Sequence, residues 1–118
     1  MEQQALIAAL RSARQSWVAL PLPGNPEVRI LRPAEAEFGR FAQGITVDHV
    51  AAAVDGWRGF TEATLLGAGI GAEDEVAFST SVWAEWVRDQ AECIQVVARA
   101  IGQAIESHLQ ARQAAAGN

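Results

Sequence analysis

Trp17-Val18-Ala19-Leu20-Pro21-Leu22-Pro23-Gly24-Asn25-Pro26-Glu27-Val28-Arg29-Ile30-Leu31-Arg32 is the stretch that decides the fold class. Pro21 to Pro26 holds three prolines, a glycine and an asparagine. Proline lacks the amide donor and fixes φ, so no helix can cross that segment, and the other two residues favour a turn. The flanks are rich in β-branched and aromatic residues. Val28 and Ile30 point one way, and Arg29 and Leu31 the other. The reading is an antiparallel hairpin at about 17–32. A lone hairpin is marginal in water, so a helix must cover one of its faces.

Outward from the hairpin the pattern is helical. Leu6, Ile7 and Leu10, extended by Ala13, form the apolar face of a first helix from Glu2 to Gln15, with Arg11 and Arg14 off that face. Pro33 suits a helix first turn, with Glu35 and Glu37 near its positive end, Phe38 and Phe41 inward and Gly44 as its stop. Thr46 and Asp48 open another helix, carrying Val47, Val50, Ala51 and Val54 inward until Gly56 ends it. Thr61-Glu62 opens a short turn through Leu65 and Leu66. Gly67 to Glu75 holds three glycines and three consecutive acids and is expected to be exposed and mobile. Ser79 or Thr80 caps a helix to about Gln90, with Val82, Trp83, Trp86 and Val87 on one side. Ile94, Val97, Ile101, Ile105 and Leu109 then mark the buried stripe of the longest helix. Residues 1–113 thus form a single domain, and 114–118 a frayed tail. The fold class is mainly α (α+β): about five helices with one small antiparallel β-hairpin.

Half of the 118 residues are hydrophobic, but 24 are alanine, so large core side chains are spread thinly. Thin cores often gain stability by oligomerising. The net charge is −5 and every basic residue is arginine. That balance argues against a general nucleic-acid binder, which needs a basic stripe to displace counterions. The acids run from Glu2 to Glu106 with arginines between them, which counts against an acidic inhibitor of a host protein that mimics nucleic acid. No run approaches the length of a membrane span. The N-terminus lacks a basic segment ahead of an apolar one, so the cytoplasm is the expected compartment. The lone Cys93 falls in a helical pattern and reads as a buried small apolar residue.

The chemistry-bearing residues do not assemble into a motif. Gly67-Ala68-Gly69-Ile70-Gly71 superficially resembles a phosphate loop, but Glu73, Asp74 and Glu75 follow at once and would repel a phosphate. Those acids lack the alternate spacing of a calcium loop. His49 and His108 have no second ligand at metal spacing. Asp48 and His49, as helix neighbours, point about 100° apart and cannot form a relay. The expectation is no catalytic residue, no metal and no cofactor. The aromatics divide between core and contact surface. Trp57 and Trp86 read as core, whereas Trp17 and Trp83 stand open between core and a protein-binding patch. Trp17, Phe60, Trp83 and Arg58 are the candidate protein-interaction residues. Arg29, Arg32, Arg40 and Arg58 around the hairpin read as solvated surface.

Three segments carry a resemblance: Arg32-Pro33-Ala34-Glu35-Ala36-Glu37, Trp57-Arg58-Gly59-Phe60 and Ala77-Phe78-Ser79. With the order of helix, hairpin, helix and acidic loop, the chain from about Val28 to Gln90 resembles the tail assembly chaperone type of small tailed-bacteriophage and prophage morphogenesis proteins. The long alanine-rich end departs from members that stop after the preceding helix. The resemblance implies a non-enzymatic protein that binds the tape measure protein, or the tail tube, in the cytoplasm of the bacterial host. A structural head–tail connector or minor virion subunit is the alternative, placing it in the virion. A homo-oligomer is compatible with either, and neither nucleic acid nor membrane is an expected partner.

Overall fold

The computed structural model describes residues 1–67 and 69–117. Among them are five α-helices, one 3-10 helix and a three-stranded antiparallel sheet, an α+β arrangement in which helix predominates. The order is α1 (Gln3–Ser12), β1 (Gln15–Ala19), β2 (Glu27–Leu31), the 3-10 helix (Glu35–Phe41), α2 (Val47–Ala53), β3 (Val54–Arg58), α3 (Glu62–Leu66), α4 (Thr80–Val87) and α5 (Ala91–Ala116). Strand β2 lies between β1 and β3.

The hairpin forms where its alternation places it, with Trp17 opposite Arg29 and Val18 opposite Val28. Val28 and Ile30 are buried, while Arg29 and Leu31 turn to the other face. The covering layer consists of helices. Val50 of α2, Trp83 and Val87 of α4, and Cys93, Val97 and Ile101 of α5 join Leu20, Val28, Ile30, Val54, Trp57 and Phe60 in one core. Burying these side chains supplies the main driving force, at about 25 cal/mol per Å² of apolar surface.

Strand β3 corrects the sequence reading, in which the α2 helix ran through Val54 to Gly56. Val54 leaves α2 in an extended conformation and pairs with Ile30, whereas Gly56 pairs with Arg29. Asp55 is therefore an extra residue on β3, a bulge that breaks the two-residue alternation. It turns both Val54 and Trp57, three residues apart, into the core. Spacing of three is what a helix would show, so the bulge disguises the strand. Gly56 fits beneath Arg29: a Cβ there would stand 3.3 Å from the guanidinium.

Other boundaries shift for local reasons. The segment after Pro33 is a 3-10 helix that ends at Phe41, ahead of Gly44. Glu37 accepts from the Ala34 amide at its start. In α2, Thr46 Oγ1 accepts from the His49 amide, and His49 Nδ1 accepts from the Thr46 amide, a reciprocal cap. Ser79 caps α4, which stops at Val87 rather than near Gln90. The Gly67–Glu75 expectation spans Ala68, which lies outside the described residues. The far end of this segment is tied down: Gly59 donates to Glu75 Oε1 at 2.8 Å and Val76 to the Phe60 carbonyl at 2.7 Å.

Two helices leave the body. Helix α1 has no buried residue. Helix α5 continues through Ala114–Ala116, with Asn118 outside the described residues. Its buried stripe is Cys93, Val97 and Ile101, with Ile94 and Ile105 half-buried, and Leu109 is 47 % exposed rather than interior. The radius of gyration is 16.0 Å and the extents are 55 × 38 × 21 Å. A compact domain of this length would have a radius of about 13–14 Å.

Candidate functional site

Of the four candidate interaction residues, the structure separates two from two. Phe60 and Trp83 are fully buried. Phe60 stacks on Trp57 with centroids 4.3 Å apart and meets Trp83 edge-on at 6.5 Å. Trp83 Nε1 donates to the Val50 carbonyl at 3.4 Å. Both are core residues and present nothing to a partner, which corrects their candidacy. The thin alanine-rich core is the reason: few other side chains are large enough to fill the space between sheet and helices.

Trp17 and Arg58 are brought together. Trp17 lies on the outer face of β1 and is 38 % exposed. The Arg58 guanidinium sits 4.0 Å from its ring centroid, and Arg29 reaches it at 5.7 Å. Arg58 Nε also donates to Glu27 Oε1 at 2.7 Å. That bond holds the Glu27 carboxyl below its usual range and raises Arg58. Beside them, Arg29 Nε and Gln15 Nε2 donate to the two oxygens of Asp55 at 2.8 and 2.6 Å. The open face of the sheet is therefore a ladder of satisfied cross-strand pairs around one tryptophan.

Helix α1 carries three exposed aliphatic side chains within two turns. Leu6, Ile7 and Leu10 are 48 %, 56 % and 64 % exposed. Glu2 caps the helix by accepting from the Gln4 and Ala5 amides. Beyond its end, Arg32 donates its amide to the Arg14 carbonyl at 2.7 Å, which fixes α1 against the hairpin. A groove of about 520 Å³ results, lined by Ile7, Leu10, Arg11, Ala13, Arg14 and Arg32. None of its three arginines makes a salt bridge among the described residues. Burial lowers the Arg32 pKa first and the nearby Arg14 charge adds to that, while the Glu35 carboxylate works against both. The sequence shows the stripe on α1 and its flanking arginines. It does not show that the stripe stays open, because a core helix and a docking helix share the same periodicity.

The remaining polar clusters tie elements together. Glu35 accepts from His108 and, at 2.8 Å, from Arg112 Nε, clamping the 3-10 helix to the outer half of α5. Arg112 first and His108 second hold the Glu35 carboxyl below its usual range. His49 is engaged in the α2 cap and packs its ring on Phe41 at 4.2 Å. Burial pushes the Cys93 thiol up, away from thiolate chemistry. A cleft of about 500 Å³ lies between Leu22, Pro23 and Gly24 on one wall and Thr61 and Thr64 on the other. The two threonine hydroxyls hydrogen-bond each other at 3.1 Å.

Among the described residues, no helix is long and apolar enough to cross a membrane, and no three His, Cys, Asp or Glu side chains gather as a metal-holding group. Comparison with known protein families, with curated proteins and with solved structures finds no match to this chain.

Proposed function

We propose that this chain is a non-enzymatic morphogenesis protein of a tailed bacteriophage, a tail assembly chaperone that binds apolar helical stretches of the tape measure protein in the host cytoplasm. The observation that carries the reading is the open Leu6, Ile7 and Leu10 face of α1. A ten-residue helix without tertiary packing is marginal by itself. A partner that covers this face would stabilise the helix while shielding its own apolar surface.

The three resemblance segments have structural work in this chain. Glu35 and Glu37 secure the 3-10 helix, Trp57 and Phe60 form the stacked centre of the core, and Ser79 caps α4. They mark the scaffold, while the docking face lies outside them. The elongated shape and the projecting α5 favour one second reading, a head–tail connector or minor virion subunit.

Co-expression with the tape measure protein of the same phage separates the two. The chaperone reading expects the partner to be soluble only with this chain, and this chain to be missing from finished particles. A partner equally soluble alone, with this chain copurifying in particles, rejects the chaperone and supports the virion subunit.

A further inference from the structure

We infer that the groove between α1 and the end of β2 receives an amphipathic helix whose apolar stripe is flanked by carboxylates. This rests on the chaperone reading for the identity of the partner, but the recognition chemistry is carried by the groove itself. Ile7, Leu10 and Ala13 supply an apolar lining, and Arg11, Arg14 and Arg32 line the groove beside them. In a chain with 14 acids and nine arginines, Arg11 and Arg14 make no salt bridge among the described residues and carry the open positive charge here, whereas Arg32 donates to the Pro33 carbonyl at 2.7 Å and lies within the influence of Glu35.

Four of the other six arginines show the contrast, while Arg40 stands 3.8 Å from Glu37 and Arg99 makes no salt bridge among the described residues. Arg29, Arg58, Arg88 and Arg112 each hold a carboxylate within 2.9 Å. Guanidinium groups bind carboxylates bidentately and are weakly hydrated, so they suit a contact that also buries apolar surface. Three exposed aliphatic side chains alone fall short of the roughly 800 Å² per partner of a stable interface. The arginines must therefore contribute, and they select a partner of opposite charge. A net charge of −5 opposes an anionic membrane or nucleic acid as the occupant.

The test uses the full-length protein and two synthetic peptides of about eighteen residues with the same Leu/Ile stripe, one flanked by glutamates and the other by lysines. The glutamate peptide is expected to bind at least about tenfold more tightly in low salt, with the difference shrinking as salt rises. In the double variant Arg11→Glu, Arg14→Glu the preference should vanish or reverse. Its thermal midpoint should stay unchanged, because neither side chain is buried. Equal binding of both peptides, binding of neither, or a glutamate preference that survives in the double variant overturns the inference. So does a wild-type dimer that the double variant splits, since a second copy would then fill the groove. Binding to phosphatidylserine vesicles that the double variant abolishes would also overturn it. Failure of the chaperone reading is seen separately: the glutamate peptide would still bind here while the co-expressed partner's solubility stayed indifferent to this chain.

Discussion

At the scale of residues, the tryptophans differ in what their indole N–H groups do. Trp57 Nε1 donates to the Val76 carbonyl at 2.7 Å, fixing the segment that returns after the acidic residues. Trp86 Nε1 is buried without a hydrogen-bond partner among the described residues. An unsatisfied buried donor costs free energy in the folded state, so its removal offsets part of the lost packing. Trp57→Phe should therefore destabilise by about 1–2 kcal/mol more than Trp86→Phe. Urea melts of the two variants check the order. Gly59 is equally position-specific. Its φ is +76° and a Cβ there would lie 3.4 Å from Pro26 Cα. Gly59→Ala should cost about 1–2 kcal/mol through backbone strain alone, read from the same melts.

At the scale of elements, the contrast between α1 and α5 is the sharpest prediction. Leu10→Asp, on a helix with no buried residue, should change stability by no more than about 0.5 kcal/mol. Ile101→Asp, fully buried, places a charge without a partner in the core and should cost several kcal/mol of a total of about 5–15. Equal losses in the two variants would show that α1 packs on the body. Glu35 governs the outer half of α5. Its folded pKa is depressed, so its contribution is present above the usual carboxylate value of about 4.3 and is lost as pH falls through the lower folded value. Hydrogen exchange in α5 around His108 to Arg112 should speed up across that acidic window, and Glu35→Gln should produce the faster exchange already at neutral pH. The hairpin, the α2 cap at Thr46 and the α4 cap at Ser79 were legible because each rests on local chemistry. Strand β3 was not, because the Asp55 bulge gives Val54 and Trp57 a helical spacing.

At the scale of the whole molecule, the same limit applies to the site. Periodicity reports which face of a helix is apolar, and says nothing of whether another element covers it. Leu6, Ile7 and Leu10 read like Val97 and Ile101, yet the first set is open and the second is core. Aromatic content misled in the other direction. Phe60 and Trp83 look like surplus for a small domain until the alanine-rich helices around them are counted as empty volume. Only Trp17 and Arg58 remain as surface residues, held in the cross-strand ladder. Helix α1 holds no buried residue, and the buried residues of α5 lie in its first half, from Cys93 to Ile101. The molecule is thus a small sheet-and-helix core that presents an uncovered helix. Hydrogen exchange of the α1 amides, measured on the chain alone and on the chain co-purified with the tape measure protein proposed to bind it, tests that claim most directly. The expected result is fast exchange across Leu6 to Arg11 in the free chain and strong protection in the complex, with β2 and the inner half of α5 protected in both. Protection of α1 in the free monomer, or fast exchange that persists in the complex, would contradict it.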